Sequence, residues 1–126
     1  MNLLPDTHVV LWWLGDDPTL GTAAREALAD PRNTVYLSAV VVWEARIKQA
    51  VGKLDLPEDF EAILDREAVV DLPVTARHAH ALARLPMHHR DPFDRMLVAQ
   101  AQCEEFHLVT NDPAMELYEV PLFDRR

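Results

Sequence analysis

The sequence predicts an α/β fold: a three-layer α/β/α sandwich with a mainly parallel central sheet. Short apolar or β-branched segments alternate with segments of helical periodicity, and this alternation is typical of parallel sheets that carry helices on both faces. The chain has 126 residues, 49% of them apolar, which is the size and composition of one globular domain. Because the sequence contains no repeat, low-complexity segment or linker, we expect a single domain over residues 1–126.

The first third of the chain predicts two strands and two helices. Asn2–Pro5 is apolar and too short for a helix, so we expect it to be the first strand. Thr7–Leu14 carries large apolar residues without the alternation of a strand, which predicts a helix. Thr22 is a suitable N-cap for a short helix that ends before Pro31. Thr34–Leu37 is β-branched and aromatic and therefore predicts the second strand.

The middle of the chain continues the alternation. We expect Ser38 to cap a helix over Ala39–Val51, which Gly52 ends. Pro57 suits the first turn of the following helix, EDFEAILDREA. Val69–Leu72 then predicts the third strand.

The last third predicts a capped helix followed by a strand. Asp91 is expected to be the N-cap of this helix, and Pro92 suits its first position. The remaining predicted elements are a helix capped by Thr75, a loop over Leu85–Arg90, the capped helix over Phe93–Phe106, a strand over His107–Thr110, a short helix near Pro113–Leu117 and a terminal strand at Glu119-Val120.

The composition narrows the function classes. A net charge of −9 argues against a protein that coats nucleic acid by bulk electrostatics. The acidity fits a basic partner, bound cations or a merely acidic surface. A single cysteine excludes an internal disulfide and a four-Cys zinc site. The longest apolar run, Val9–Leu14, is far shorter than the ~20 residues that span a bilayer, and no secretory leader is visible, so we expect a cytoplasmic protein without a membrane segment.

Two aspartates follow predicted strands. Asp6 comes directly after the first predicted strand, and Asp112 follows the predicted strand over His107–Thr110, with one residue between them. Open α/β sheets place ligand sites at the carboxyl ends of their strands, so both side chains are candidates for one site. Alternatively, each is only a turn residue or a helix N-cap. Pro5 lacks the N–H that a central strand would use, so we expect the first strand to end early or to be distorted near Asp6.

Two further acids lie on helix faces that also carry apolar residues. Glu44 and Asp94 each have apolar residues three, four or seven positions away, namely Val40, Val41, Ile47 and Val51 for the first and Leu97, Val98 and Ala101 for the second. A carboxylate on such a face is costly to bury unless it is paired or binds a cation. The alternatives are an ion pair with a buried arginine or a rim position for Glu44, and a helix-capping role beside Asp91 for Asp94.

These four acids together predict a metal site. Clustered carboxylates repel one another and raise each other's pKa unless a cation neutralises them. Oxygen ligands without Cys or paired-His spacing favour Mg²⁺, with Mn²⁺ as a substitute, over Zn²⁺. Such ions activate water and stabilise the charge that develops during phosphodiester hydrolysis. The residues therefore indicate a metal-dependent phosphoryl-transfer enzyme and, within that class, a nuclease.

Four segments of the chain resemble the PIN-domain toxins of the VapC family, namely LLPDTHVVLWWL, LSAVVVWEARIKQAVGKLDLP, HHRDPFDRMLVAQA and LVTNDPAM. They occur in the family's order and spacing and cover nearly the whole chain. DPFDRMLVAQA together with SAVVVWE is a specific signal, whereas LVTNDP alone would be weak. The resemblance implies a PIN-like α/β/α fold.

The resemblance also implies a function and a site. It implies an Mg²⁺-dependent endoribonuclease that is the toxin of a toxin–antitoxin pair. RNA would be the substrate, a cognate antitoxin the partner and a homodimer the assembly. The family's four acidic positions fall on Asp6, Glu44, Asp94 and Asp112, which would be both the catalytic residues and the ligands of the metal that activates water.

Hydroxyl and basic side chains near the acids are further candidates. Thr7 follows the first acid and Thr110 precedes the last by two residues, and either could orient a metal-bound water. Arg46, Lys48 and Arg95 could hold RNA phosphates or pair with the carboxylates. Alternatively, these three are ordinary solvated surface charges.

Other conspicuous residues are assigned to ordinary roles. His88 and His89 precede the DPFD segment in a loop, where we expect them to be exposed rather than to bind a metal or RNA. Trp12, Trp13 and Trp43 could stack on bases, but we expect them in the core or in a dimer interface.

Two other function classes compete with the nuclease, namely phosphotransfer enzymes and binding modules without efficient catalysis. Phosphotransfer enzymes of the haloacid-dehalogenase type need a second Asp two residues after the first, where this chain has His8. Receiver domains need an acidic pair after the first strand and a Lys after a late strand, and this sequence has neither. A catalytically weak PIN-fold binding module, which engages an antitoxin or RNA without efficient cleavage, would keep all four acids and stays open as the alternative function.

Overall fold

A four-stranded parallel sheet forms the centre of the structure. A computed structural model describes residues 1–123, and its strands are β1 (Asn2–Pro5), β2 (Thr34–Ser38), β3 (Val69–Leu72) and β4 (His107–Val109). Their spatial order is β3-β2-β1-β4, and each neighbouring pair is parallel. Because helical crossovers return the chain to the same end of the sheet before each new strand, the predicted α/β/α sandwich is confirmed.

Within residues 1–123 the chain also forms six α-helices and two short 3₁₀ segments. The helices are α1 (Thr7–Leu14), α2 (Thr22–Ala29), α3 (Ala39–Ala50), α4 (Phe60–Arg66), α5 (Ala76–Leu82) and α6 (Pro92–Glu104), and the 3₁₀ segments are Pro18–Leu20 and Pro113–Leu117. Ser38, Thr75 and Asp91 cap α3, α5 and α6 through their side chains, as the sequence predicts.

Three predicted helix ends differ from the structure. Thr22 is the first residue of α2 instead of its cap, because Gly21 occupies the N-cap position at a φ of +80° without a side-chain hydrogen bond. α4 begins at Phe60 rather than near Pro57, since the intervening residues form a turn closed by a hydrogen bond from the Phe60 N–H to the Pro57 carbonyl (3.1 Å). α6 ends before the predicted position because Glu105 adopts a left-handed φ of +60°.

The strand predicted at Glu119-Val120 is wrong. The chain turns there, with the Val120 N–H bonded to the Tyr118 carbonyl (2.9 Å). Because the turn occupies these residues, the contact with the edge of the sheet shifts beyond them, and Leu122 forms a parallel bridge with Leu108 of β4.

β1 lies in the interior of the sheet although it ends in a proline. Its register with β4 runs as far as Pro5, opposite Val109, whereas its register with β2 stops at Leu3. The Asp6 N–H bonds to the Val109 carbonyl (3.0 Å). Since successive N–H groups of a strand point to opposite neighbours, the missing N–H of Pro5 faces β2, where pairing has already ended. The pairing of β1 with β2 therefore ends early, as predicted, while a hydrogen bond to β4 fixes the backbone of Asp6.

Two apolar clusters pack on opposite faces of the sheet. Neighbouring residues of a strand point to opposite faces, so Leu3 and Leu4 of β1 belong to different clusters. Leu4 packs in the larger cluster with Leu97 of α6, and Leu3 packs in the smaller one with Leu28 of α2. This double burial accounts for the three layers.

A buried hydrogen bond joins the sheet to α6. The Ser38 hydroxyl donates to Gln100 Oε1 (2.6 Å) and accepts from the Val40 N–H (3.1 Å). Both side chains are fully buried, so the pair fixes α6 against the carboxyl end of β2. Within residues 1–123 no helix is both long and apolar enough to cross a membrane.

Candidate active site

Asp6 lies at the carboxyl end of β1, where the chain enters α1. It is the N-cap of α1, and its Oδ1 accepts a hydrogen bond from the Val9 N–H (2.9 Å). Its Oδ2 accepts the hydroxyl of Thr110 (2.6 Å). Burial raises the pKa of the Asp6 carboxyl above its ordinary value, against the lowering effect of these hydrogen bonds. Asp6 therefore does cap a helix, which was its alternative role, and the cap uses only one of its two carboxylate oxygens.

Glu44 is buried in the middle of α3. Its Oε1 accepts the Thr7 hydroxyl (2.5 Å), and its Oε2 accepts a hydrogen bond from Lys48 Nζ one helical turn later (2.5 Å). The hydrogen bond to Glu44 is the main reason why the pKa of Lys48 is raised. The ion pair weighed for Glu44 is present, and its cation is Lys48 instead of a buried arginine.

Asp94 lies in the first turn of α6. Asp91 caps this helix by accepting the N–H groups of Phe93 (2.8 Å) and Asp94 (3.1 Å). The pKa of the Asp94 carboxyl is raised to about 7, first because burial disfavours its charged form and then because Asp91, Asp6 and Glu44 carry negative charges nearby. These interactions show that Asp94 faces the same region as Asp6 and Glu44.

Asp112 lies after β4, on the solvent side of this region. Its Oδ1 accepts the Ala114 N–H (2.9 Å), so it caps the second 3₁₀ segment. His89 Nε2 lies 3.0 Å from Asp112 Oδ2 and 3.1 Å from Asp94 Oδ2. One imidazole therefore links the third and fourth predicted acids.

Two threonines connect the remaining acids. The Asp112 N–H donates to Thr110 Oγ1 (3.1 Å), whose hydroxyl donates to Asp6. Thr7, the next residue after Asp6, donates to Glu44. With the histidine described above, these bonds bring all four predicted acids and both predicted threonines together at the carboxyl edge of the sheet. We refer to the four carboxylates as the acidic cluster.

The acidic cluster fits a hard divalent cation. Side-chain exposure rises from 3% at Glu44 through 20% at Asp94 to 38% at Asp112, so the cluster opens to solvent on one side. Carboxylate oxygens of Asp94 and Asp112 lie within 4.8 Å of each other, which is close enough for one ion to contact both. Carboxylate oxygens are the ligands that Mg²⁺ and Mn²⁺ prefer. Burial is the main cause of the raised pKa of Asp94, and a cation would offset the repulsion from neighbouring carboxylates that adds to it.

Nearly the whole chain matches the model of one protein family, which is described as the PIN domain and covers residues 3–121. This chain belongs to the PIN domain family. The PIN-like fold that the sequence resemblance implies is therefore confirmed, and the matched range contains the entire acidic cluster. No curated protein matches the chain by sequence.

Solved structures similar to this PIN domain include toxin–antitoxin complexes. VapBC2 from Rickettsia felis, bound to a DNA fragment from its promoter, has a TM-score of 0.74 at 17% identity, with 98% of each chain covered. VapBC-1 from nontypeable Haemophilus influenzae has a TM-score of 0.68 at 18% identity, with 99% of this chain and 98% of that chain covered. A toxin–antitoxin complex from Klebsiella pneumoniae has a TM-score of 0.65 at 15% identity, with 98% of each chain covered. At these identities the similarity establishes a shared fold.

Two of the three predicted basic residues of this PIN domain make their contacts outside the acidic cluster. Lys48 contacts it directly, as described above. The Arg46 guanidinium lies 5.2 Å from the centre of the Phe60 ring, on a different side of α3. Arg95 donates to the carbonyl of Pro86 (2.9 Å) and so supports the loop before α6.

Sequence reasoning missed His89, which it assigned to an exposed loop. The ring is turned toward α6 because its Nδ1 accepts the Asp91 N–H (3.3 Å), and its backbone N–H donates to the Tyr118 hydroxyl (2.9 Å). The spacing His-x-Asp-Pro was the available signal, since a side chain that accepts from the N-cap residue must lie beside the start of the helix. His88 is exposed, as predicted, and its ring packs edge-on against Tyr118.

The three tryptophans of the PIN domain differ in burial. Trp12 and Trp13 are half-buried and pack against the smaller apolar cluster. Trp43 is 59% exposed, and its ring contacts Phe93 edge-on at 5.0 Å. A core position is therefore wrong for Trp43, because the side of α3 that carries it is open to solvent beside Phe93.

Proposed function

We propose that this PIN domain is an Mg²⁺-dependent endoribonuclease and the toxin of a toxin–antitoxin pair, formed by one domain over residues 1–126. The observation that carries the proposal is the convergence of four carboxylates, one of which has its pKa raised to about 7. Charges gathered in this way destabilise a protein unless a partner compensates them. The family and the toxin–antitoxin complexes among similar structures support the same function.

The four acids would hold the cation, with Mn²⁺ able to replace Mg²⁺. When bound, the ion would activate a water for hydrolysis of an RNA phosphodiester bond and offset the charge of the phosphate. The chain's own residues hold the ligands in place. Thr110 fixes one oxygen of Asp6 (2.6 Å), and Thr7 fixes one oxygen of Glu44 (2.5 Å). Lys48 balances the charge of the most buried acid.

The proposal includes an antitoxin partner, a homodimer and a cytoplasmic location. Similar solved structures are toxin–antitoxin complexes, which supports the antitoxin. An apolar groove of about 640 Å³ offers a surface for a protein partner, and its lining includes Leu37, Val42, Trp43, Leu72 and Pro73. The exposed Ile47 of α3 and the exposed Val51 that follows this helix support contact with a second copy of the chain. The cytoplasm is where both an RNA substrate and a newly translated antitoxin are found.

Cleavage of labelled RNA by the purified chain tests the proposed function. The full chain should cleave RNA in Mg²⁺ or Mn²⁺ and not in EDTA. Asp94→Asn should cleave more slowly by a factor of about 100 or more, because it removes a charged ligand. Asp65→Asn, a matched change of an exposed carboxylate on α4, should cleave at the wild-type rate. Cleavage in EDTA, or wild-type cleavage by Asp94→Asn, would refute the proposal.

The alternative function, a catalytically weak binding module, predicts a different combination of results. Calorimetry would then detect Mg²⁺ binding to the wild-type chain and its loss in Asp94→Asn, while RNA from several sources stays intact. A wild-type chain that binds no divalent cation would contradict both functions.

A further inference from the structure

His89 lies inside the candidate site although neither the pattern of acids nor the family resemblance assigns it a role. Its Nε2 is 3.0 Å from Asp112 Oδ2 and 3.1 Å from Asp94 Oδ2. The two aspartates belong to different parts of the fold, since one lies in α6 and the other follows β4. His89 comes from a third segment, the loop before α6, and its ring joins the other two.

The hydrogen bonds of the imidazole assign its tautomer. Nδ1 accepts the backbone N–H of Asp91 at 3.3 Å, and a ring nitrogen that accepts a hydrogen bond carries a lone pair instead of a proton. In the neutral ring the proton is then on Nε2, the atom that faces the two carboxylates. Nε2 therefore donates its hydrogen bond to Asp112 (3.0 Å), while Asp94 Oδ2 lies 3.1 Å from the same nitrogen, and Nε2 has no free lone pair for a cation in this arrangement.

The position of the ring is set by contacts of its own loop. The backbone N–H of His89 donates to the Tyr118 hydroxyl (2.9 Å), and Tyr118 is 4% exposed. Arg95 donates to the same hydroxyl (3.3 Å) and to the carbonyl of Pro86 (2.9 Å). The loop is thereby tied to α6 and to the segment after β4, the same two parts of the fold that supply the aspartates.

We propose that His89 is a positioning residue of the candidate cation site: its Nε2–H binds the Asp112 carboxylate and lies against that of Asp94, so the ring keeps the two carboxylates together before the cation binds. This inference rests on the proposed function, because it concerns the ligands of that site. Ligands held in place lose less freedom on binding. Loss of a group that orients metal ligands weakens metal binding by about 10–100-fold.

A matched pair of substitutions separates positioning from direct ligation. His89→Gln keeps an N–H donor near the place of Nε2, whereas His89→Ala removes it. In calorimetric titration of the full chain with Mn²⁺, we expect the Kd of His89→Gln to stay within about 3-fold of wild type. The Kd of His89→Ala should rise by about 10-fold or more. Equal weakening in both variants, or wild-type or tighter binding by His89→Ala, would overturn the inference.

Two spectroscopic measurements test the role of the ring without measuring activity. ¹⁵N NMR of the imidazole in ion-free protein and mildly alkaline buffer should show the Nε2–H tautomer, and an Nδ1–H tautomer would overturn the inference. Pulsed EPR of the Mn²⁺-loaded protein should show no directly coordinated histidine nitrogen. A nitrogen coupling that disappears in His89→Gln would show that His89 is a ligand, which also overturns it.

These results also separate this inference from the proposed function. If the wild-type chain binds no Mn²⁺ while Nε2 carries the proton, the proposed function fails and His89 has no cation site to organise. If the wild-type chain binds Mn²⁺ and loses it in Asp94→Asn, but His89→Ala binds normally, only the positioning role fails. Thermal unfolding of both His89 variants in EDTA checks that each still folds.

Discussion

Replacement of Asp94 by Asn should stabilise the ion-free protein at neutral and alkaline pH. In the folded chain the pKa of this carboxyl is about 7, because burial and the charges of Asp91, Asp6 and Glu44 disfavour its ionised form, whereas its ordinary pKa is 3.8. The folded state therefore holds the proton more tightly than the unfolded state does. Ionisation of Asp94 in the folded protein then lowers the free energy of unfolding.

The size of the effect follows from these two pKa values. A carboxyl pKa of about 7 instead of 3.8 corresponds to at most about 4 kcal/mol. The Asp94 side chain is 20% exposed and water screens part of the repulsion, so we expect a gain of about 1–2 kcal/mol from Asp94→Asn. For a chain of this length, that gain raises the melting temperature by about 3–8 °C.

The direction of the pH dependence follows as well. Between pH values of about 4 and 7 the folded carboxyl keeps a proton that the unfolded one has lost, so wild-type stability falls as the pH rises through this range. Urea unfolding in EDTA at several pH values should show this fall for the wild type and for the control Asp65→Asn, but less of it for Asp94→Asn. Equal stability of wild type and Asp94→Asn at alkaline pH would refute the reasoning.

Addition of Mg²⁺ provides a second control for the same variant. A ligand that binds only the folded state raises the melting temperature by mass action. Mg²⁺ should therefore stabilise the wild type and Asp65→Asn, and it should stabilise Asp94→Asn much less. An equal response of all three proteins would show that the cation does not bind at Asp94.

Three further substitutions test other contacts. Thr110→Val removes the hydroxyl that lowers the pKa of Asp6, so the pKa of Asp6 should rise further. In calorimetry at neutral pH, the affinity of this variant for Mg²⁺ should fall about 10-fold, while the control Thr110→Ser should bind Mg²⁺ normally. Lys48→Met leaves the Glu44 carboxylate buried without its cation. The free energy of unfolding in EDTA should therefore fall by about 1–3 kcal/mol, and Mg²⁺ should restore it. An unchanged urea midpoint would contradict this. Ser38→Ala removes the cap of α3 and a buried hydrogen bond to α6. In a denaturant titration it should lower the free energy of unfolding by about 1–2 kcal/mol, and unaltered stability would contradict this.

The sheet and the four acids could be predicted because each leaves a local trace in the sequence. Asp6 and Asp112 follow strands, and the carboxyl ends of parallel strands meet at one edge of the sheet. Glu44 stands out because it lies on an apolar helix face, where a charge needs a partner. These patterns depend on residues close in sequence, so they are readable without coordinates.

The parts that could not be predicted depend on residues far apart in sequence. His89 is held in the site partly by Tyr118, 29 residues later, and a loop sequence alone does not report such a contact. Arg46 lies only two residues after Glu44, but that step turns it to another side of the helix, where it meets the Phe60 ring. Proximity in sequence thus suggested a position beside the acids, whereas helix geometry places Arg46 at the Phe60 ring; a contact of Arg46 with RNA stays a prediction.

The bond between Thr110 and Asp6 spans 104 residues, so the carboxylate that follows β1 is held by the segment that follows β4. During synthesis, β1, β2 and three of the four acids are made before Thr110 and Asp112. A prematurely terminated product that lacks β4 would have neither the hydroxyl that supports Asp6 nor the outermost carboxylate. If this chain cuts RNA as proposed, we therefore expect a product that terminates before β4 to be inactive.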